Sequence, residues 1–143
     1  MRAARLPRVL HLIPILDQGG AEAMLANLVK ATADRVEHRI ATLVATPNFF
    51  GIDPALIRSP PSPLRQPSPA MLRHLRAAAR ESDPDIIHCW MYHANLASIA
   101  LPRRGRRVIW SIHSTHLAEA ISKSRTRLVD RLCQRLSHRV PDR

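Results

Sequence analysis

Residues 8–22 read RVLHLIPILDQGGAE, and this stretch decides the fold of the chain. Its first half is a short, nearly continuous apolar run that ends at Pro14, which is typical of a strand buried on both faces. Its second half holds Gly19 and Gly20 in a polar loop, although the chain has only four glycines in all. A glycine pair lets the backbone turn tightly or come close to a ligand. The stretch therefore predicts a buried strand followed by a glycine-rich turn.

The next segments extend this strand and turn into a larger unit. Residues 21–33 carry apolar side chains at helical spacing, and residues 38–45 form a second apolar run. A strand, a turn, a helix and a strand in this order make a βαβ unit, whose strands run parallel.

The rest of the chain repeats the alternation of strands and helices. Helices are expected at 70–82, 94–101 and 126–139, and strands at 85–90 and 108–112. Residues 46–69 hold seven prolines, so only a short helix at 54–58 and a strand stub at 64–65 are expected there. The predicted fold class is α/β, a Rossmann-like open parallel sheet with helices on both faces. It is expected to be incomplete, because the pattern calls for a further strand after the last helix.

Composition limits the classes of function. The 143 residues suit one domain, and no apolar run is long enough for a membrane-spanning helix or has the cleavage pattern of a signal peptide. The formal net charge of +11 implies an anionic partner, or else reflects an arginine-rich genome. Aromatic residues make up only 3% of the chain, so few side chains could stack on the bases of a nucleic acid. Cys89 and Cys133 sit in apolar surroundings and are expected to be buried, free thiols.

Polar side chains follow the later predicted strands. His93 and Asn95 come after the strand at 85–90, and His113 and His116 come after the strand at 108–112. Parallel strands end at one edge of a sheet, so these groups should gather near Gly19 and Gly20. Each histidine alone is more simply a structural residue, whereas the cluster favours hydrogen bonding to a substrate or proton transfer. No carboxylate or thiolate joins the histidines at ligand spacing, so no metal site is expected.

The last predicted helix carries a basic stripe. Arginines recur every four residues, beside an apolar stripe that includes Leu128 and Leu132. Such a helix lies on an anionic membrane, or it packs on a core with its charges in water, and the pattern leaves both open. The stripe consists of Arg127, Arg131, Arg135 and Arg139.

Four blocks of the sequence, in order, resemble family 4 glycosyltransferases. Residues 8–22 resemble the family's opening strand and its Gly-Gly-Ala-Glu turn. Residues 83–95, DPDIIHCWMYHAN, resemble its strand of the pattern P-D-hydrophobic-hydrophobic-H, and residues 108–113, VIWSIH, resemble the next strand, which ends in histidine. Residues 126–142 are similar to the helix that leads to the following strand.

The resemblance implies a GT-B fold, in which two Rossmann-like domains face a cleft. The N-terminal domain mainly receives the acceptor, and the C-terminal domain holds the nucleotide-sugar between a pair of glutamates. The sugar is transferred with retention of its anomeric configuration. No metal and no cofactor is expected, the nucleotide-sugar being a co-substrate.

Residue roles follow from the same resemblance. Gly19 and Gly20 would face the donor phosphates, and His113 would be the catalytic residue near the transferred sugar. The acceptor would contact His93, Asn95 and Glu22. The expected partners are a nucleotide-sugar, a glycan or lipid-linked acceptor and an anionic membrane surface, but not nucleic acid.

The resemblance also frames the domain organisation. Residues 1–143 are expected to be a truncated N-terminal-like domain, with the irregular segment 46–69 inside it and without the donor-sugar domain. Such a fragment is expected to be inactive alone. Its expected location is cytoplasmic, with peripheral attachment to the inner face of a membrane left open. The alternative is a non-catalytic basic module that binds an anionic membrane or nucleic acid.

Overall fold

Five parallel strands form one sheet at the centre of the molecule. The structure is a computed structural model that describes residues 5–45, 47–60, 68–112 and 124–142. The strand order is β3-β2-β1-β4-β5, and every neighbouring pair is parallel, which confirms the predicted α/β class. The strands are β1 (Arg8–Ile13), β2 (Glu37–Thr42), β3 (Ile57–Arg58), β4 (Ile86–Trp90) and β5 (Arg107–Ser111).

Helices cover the two faces of the sheet. One face packs against α1, and the opposite face packs against α2 and α3. In the described part of the chain, no helix is long and apolar enough to cross a bilayer. The helices are α1 (Gly20–Thr32), α2 (Pro69–Ser82), α3 (Met91–Ser98) and α4 (Ser124–Leu136).

Alternation along each strand builds two hydrophobic clusters. Successive strand side chains point to opposite faces, so Leu12 faces α2 and α3 while Ile13 faces α1. Both side chains are fully buried. In β2 and β4 as well, alternate residues belong to the two clusters. Because both faces of these strands are buried, they appear in the sequence as continuous apolar runs. The strand residues under α2 and α3 include Leu10, Ala41, Ile87, Cys89 and Val108, and those under α1 include Ile40 and Trp90.

Two aspartates fasten the amino-terminal edge of the sheet. Asp83 ends α2 in the left-handed region, with φ 37°, and its carboxylate pairs with Arg8 at 2.7 Å. Asp85 accepts hydrogen bonds from Nη1 and Nη2 of Arg5 and from the backbone N–H of Arg8. The Arg5 guanidinium, followed by that N–H, lowers the pKa of Asp85 to about 2. The Asp-Pro-Asp motif therefore stabilises the edge of the sheet that lies opposite the carboxyl ends of the strands.

The proline-rich region departs from expectation in one place. A 3₁₀ turn, Pro54–Leu56, replaces most of the short helix expected at 54–58, and Asp53 caps it by accepting the N–H of Ala55 at 2.9 Å. The last two residues of that range form β3, which pairs with β2. The strand stub expected at 64–65 lies outside the described residues.

The helix α3 begins three residues earlier than expected, at Met91 rather than at 94. The prediction of a loop at this point is wrong, because Met91 turns the chain directly from β4 into the helix. His93 and Asn95 therefore lie on α3. The predicted end at 101 differs as well, since Ile99, Ala100 and Leu101 continue with N–H groups bonded three residues back.

Candidate functional site

The strand order reverses between β1 and β4. β1 leads into α1 on one face of the sheet, and β4 leads into α3 on the other face. The register pairs Leu12 with Cys89, so both strands end at the same edge. Connections that leave neighbouring strands for opposite faces open a crevice at this edge, which is where ligands bind in open α/β sheets.

The glycine pair forms one wall of the crevice. α1 begins at Gly20, and Gly19 precedes it with extended backbone and no capping side chain. The first N–H groups of a helix have no partner within the helix, and together with the helix dipole they attract phosphate and other anions. A Cβ atom built on Gly20 would meet nothing within 4 Å, so the space beside this residue at the helix start is open.

Glu22 lies beside the glycine pair. It occupies the third position of α1 and is only 8% exposed. Its carboxylate fills the space next to Gly19, because a Cβ atom built on Gly19 would lie 2.2 Å from Oε2 of Glu22. The carboxylate makes no hydrogen bond or ion pair to the rest of the described chain. It is thus a largely buried hydrogen-bond acceptor at the crevice.

The other wall is a strained turn. Met91 follows β4 directly and has φ 72°, in the left-handed region that side chains other than glycine avoid at a cost of about 1–2 kcal/mol. Strain of this kind is concentrated at functional sites. The sequence carried no signal for it, because methionine is not a residue expected at positive φ. As a result α3 starts at the crevice, with His93 exposed in its first turn.

Asn95 is fully buried in α3. Oriented with its amide nitrogen inward, it donates to the backbone oxygens of Cys89 and Met91, both at 3.2 Å. These bonds fasten the turn between β4 and α3, so an acceptor contact would require the amide to leave them. His113 and His116 lie outside the described residues, and their meeting with the glycine pair stays a prediction.

A chain of hydrogen bonds runs beneath α1, and the sequence analysis missed it. Indole Nε1 of Trp90 donates to Nδ1 of His11 at 3.2 Å, and Nε2 of His11 lies 3.0 Å from Nδ1 of His38. Nε2 of His38 then lies 2.9 Å from the hydroxyl of Thr32, which donates to the backbone oxygen of Leu28 at 2.7 Å. Three strands and α1 are joined by this chain.

The direction of the chain is fixed from both ends. An indole nitrogen only donates, so Nδ1 of His11 is an acceptor and its Nε2 carries the proton. The Thr32 hydroxyl donates its hydrogen to the backbone oxygen of Leu28, so it accepts a hydrogen bond from Nε2 of His38. Both rings are therefore neutral. Burial lowers the pKa of His11 well below its usual value, with help from His88 and His38, and burial also lowers the pKa of His38.

The histidine at the end of the 83–88 motif also lies on the face under α1. Nε2 of His88 is 2.6 Å from the hydroxyl of Ser111, and its ring centroid is 4.5 Å from that of Trp90. Polar side chains at alternate positions of an apolar strand are the signal that could have found this layer. His11 and His38 interrupt their strands in that way.

The remaining titratable groups support structure. The thiols of Cys89 and Cys133 are buried and free, and burial raises their pKa to about 12 and about 11. The Cys133 thiol donates to the backbone oxygen of Tyr92 at 3.3 Å and so joins α4 to α3. Across residues 5–45, 47–60, 68–112 and 124–142, no group of three or more His, Cys, Asp or Glu side chains could hold a metal ion.

Comparison with known families agrees with this architecture. The family model described as Glycosyltransferase Family 4 matches residues 18–143. The chain belongs to glycosyltransferase family 4. No curated protein matches it. The family 4 match begins one residue before Gly19 and covers both walls of the crevice, so the resemblance noted in the sequence is confirmed. Family 4 enzymes are glycosyltransferases, which act on a sugar donor and an acceptor.

Proposed function

We propose that this chain is the acceptor-side domain of a retaining glycosyltransferase. It would serve the transfer of a sugar from a nucleotide-sugar to a glycan or a lipid-linked acceptor. The observation that carries the proposal is the crevice between β1 and β4, with the uncapped start of α1 on one side and the start of α3 on the other. Family 4 membership gives this crevice its chemistry.

The donor phosphates belong at the glycine pair. Free N–H groups at the start of α1 face the crevice edge, and the space over Gly20 is open. A pyrophosphate gains both hydrogen bonds and the favourable end of the helix dipole there. In a two-domain enzyme this wall would complete the phosphate site across the cleft from the domain that holds the nucleotide.

The acceptor belongs beside Glu22 and His93. The Glu22 carboxylate would accept a hydrogen bond from a hydroxyl group of the acceptor substrate, and His93 is exposed in the first turn of α3. Asn95 would act through the turn that it fastens. His113, which lies outside the described residues, is the proposed catalytic residue near the transferred sugar.

Chemical-shift mapping of the 143-residue chain tests the placement of the donor. UDP-glucose and GDP-mannose serve as probes, with free glucose as the control for the sugar alone. Perturbations should gather at Gly19, Gly20 and Ala21 and in the first turn of α3. Perturbations confined to the amino-terminal edge of the sheet, or none at millimolar nucleotide-sugar, would contradict the proposal.

We further propose that these 143 residues do not turn over a nucleotide-sugar alone, because the described residues supply only the acceptor side of the cleft between the two domains of a GT-B fold. Nucleotide release should stay at background. Fusion to the donor domain of a family 4 enzyme should give transfer with a retained anomeric configuration, read by NMR of the product. In that chimera His113→Ala should lower kcat by about 10²–10⁴-fold, whereas His138→Ala on the exposed end of the chain should not.

The proposed location is the cytoplasm, at the inner face of a membrane, in the synthesis of cell-envelope polysaccharide. α4 supports attachment, because Leu128 and Leu132 are 59% and 39% exposed and lie next to the exposed Arg131 and Arg135. Replacing both leucines with serine should abolish sedimentation with vesicles containing phosphatidylglycerol. Unchanged sedimentation would remove α4 as the attachment site.

A further inference from the structure

A cavity elsewhere in the molecule shares no lining residue with the crevice. It has a volume of about 330 Å³ and lies between α2 and the loop that enters β5. Arg106 directly precedes β5, so the cavity opens toward the amino-terminal edge of the sheet. We call it the arginine groove, and its lining residues are Arg73, Arg76, Ala79, Arg80, Pro102, Arg104 and Arg106.

The arginine groove has an excess of positive charge. Five of its seven lining residues are arginines and none is acidic. Asp83 reaches Arg106 at 3.5 Å from outside the lining, but it is also bound by Arg8 at 2.7 Å. The next acidic side chain along α2, Glu81, pairs with Arg58 instead. Several like charges around one concave surface repel each other unless an anion joins them.

Two of the guanidinium groups are held in place by backbone oxygens. Nε and Nη2 of Arg76 donate to the backbone oxygen of Ala100, both at 3.3 Å. Nη1 of Arg106 donates to Pro102, and its Nη2 donates to Ala79, both at 3.2 Å. The exposed Arg76 group has lost part of its rotational freedom in advance, so less entropy is lost when it binds a ligand, whereas Arg106 is buried.

The turn at the rim of the groove is strained. Arg104 and Gly105 have φ 46° and 79°, and the N–H of Arg106 bonds to the backbone oxygen of Arg103 at 2.7 Å. Two consecutive positive φ values define a type I′ turn, whose first central position favours Asn, Asp or Gly. The chain places an arginine there, at a conformational cost that is typical of functional positions.

We propose that the arginine groove binds a phosphate-bearing anion. Planar guanidinium groups pair with phosphate oxygens through two parallel hydrogen bonds, and the exposed Arg76 is already oriented for this. Arg106, whose side chain is 7% exposed and bonded to Asp83, adds positive charge to the wall of the groove. The site is separate from the crevice, so it serves a purpose beyond sugar transfer. The shared chemistry of the ligand is a phosphate group, carried by a soluble molecule or by a lipid headgroup.

Calorimetric titration of the 143-residue chain with inorganic pyrophosphate at low salt tests the proposal. The variant Arg76→Gln/Arg80→Gln removes two charges from the groove, and Lys30→Gln/Arg35→Gln removes two exposed charges at the end of α1 as a matched control. The groove variant should bind pyrophosphate about tenfold more weakly or worse, while the α1 variant should retain the wild-type affinity. Circular dichroism checks that both variants keep the fold.

Vesicles of phosphatidylcholine with and without phosphatidylglycerol distinguish the source of the phosphate. Vesicle binding that is weakened in the groove variant and kept in the α1 variant assigns the groove to a lipid headgroup. Pyrophosphate binding alone with the same dependence assigns it to a soluble ligand. The proposal is overturned if neither probe binds, or if the groove variant binds pyrophosphate as tightly as the wild type, since the start of α1 would then account for the binding. It is also overturned if the two variants lose binding equally, since net charge alone would then explain the result.

Discussion

Gly19 and Gly20 stand side by side at the start of α1 but meet different surroundings. A Cβ atom on Gly19 would collide with the Glu22 carboxylate, whereas a Cβ atom on Gly20 would meet nothing within 4 Å. Both residues have negative or extended backbone angles, so neither needs glycine for its conformation. The first glycine makes room for a side chain, and the second leaves the helix start uncovered.

This difference predicts opposite effects of two alanine substitutions on stability. Gly19→Ala forces the Glu22 carboxylate to move and should lower the free energy of unfolding by about 1 kcal/mol. Gly20→Ala lies at the first helical position and should raise it by about 0.4–1 kcal/mol. Urea denaturation measures both. Effects of the same sign would show that Glu22 does not occupy the space beside Gly19.

Glu22→Ala supplies the control for this prediction. In that background the collision partner is gone, so Gly19→Ala should no longer destabilise the chain, and a double-mutant cycle should give a coupling above 0.5 kcal/mol or so. Gly20→Ala should have the same effect with and without Glu22. Additive effects of Gly19→Ala and Glu22→Ala would contradict the contact.

At the residue level the sequence identified the glycine pair but not its opposite wall. Gly19 and Gly20 could be predicted because two of four glycines follow an apolar run. Met91 could not, because its positive φ is imposed by packing around the end of β4 and leaves no local signature. His93 was expected before the helix for the same reason, and the buried bonds of Asn95 depend on that turn.

Among the elements, the hydrogen-bond chain from Trp90 to Leu28 makes stability depend on pH. A second proton on His11 would set its Nδ1–H against the Trp90 N–H, and one on His38 would set two ring N–H groups against each other. The folded pKa of each lies below the usual value of 6.5, so the unfolded state binds more protons at acidic pH. The contribution of the neutral histidines to the free energy of unfolding is therefore fully present above about pH 6.5 and declines as the pH falls.

The expected slope is up to about 1.4 kcal/mol per pH unit for each histidine that stays neutral. Urea denaturation between pH 7.5 and pH 5, above the titration of most carboxylates, measures it. His38→Asn keeps an acceptor and a donor but does not titrate, so its slope should be shallower than that of the wild type. His138→Asn, at an exposed position, should leave the slope unchanged. Equal slopes in all three proteins would contradict a neutral chain.

The turn before β5 carries a prediction in which stability and binding change in opposite directions. Arg104→Asn places a residue that tolerates positive φ at the first central position, so the free energy of unfolding should rise by about 0.5–1 kcal/mol. The same change removes one charge from the arginine groove and should weaken pyrophosphate binding. Thermal denaturation and calorimetry on one sample measure both. A loss of stability would show that Arg104 contributes more by contacts than it costs by strain.

Elements with strong patterns were predicted well, and the misses have physical causes. β1, β2 and β4 were found because burial on both faces requires long apolar runs. β5 lies at the edge of the sheet with Ile109 41% exposed, and it was found from the apolar run that begins at Val108. β3 was missed because two residues next to prolines carry no pattern, and its pairing with β2 comes from the sheet itself. The histidine layer under α1 was missed although His11 and His38 interrupt apolar runs, because only the folded arrangement shows which partners satisfy these buried polar groups.

For the whole molecule, the sheet couples the two hydrophobic clusters. Each central strand supplies alternate residues to both faces, as Leu12 and Ile13 do in β1 and Cys89 and Trp90 do in β4. Because both clusters depend on the same strands, unfolding of one cluster also disrupts the other. The described domain should therefore unfold in one transition, although helices cover it separately on its two sides.

Two leucines and two tryptophans allow a direct test of this coupling. Leu25 of α1 and Leu75 of α2 are both fully buried, one in each cluster, so Leu25→Ala and Leu75→Ala should each cost about 2–5 kcal/mol. Trp90 belongs to the cluster under α1, and Trp110 packs against the other cluster. Fluorescence of Trp90→Phe and Trp110→Phe proteins then follows each face alone in urea. Either leucine substitution should shift both signals to the same lower midpoint, because the strands cannot separate the faces. A shift seen only by the tryptophan on the substituted side would mean that the sheet does not transmit the loss and that the two faces unfold independently.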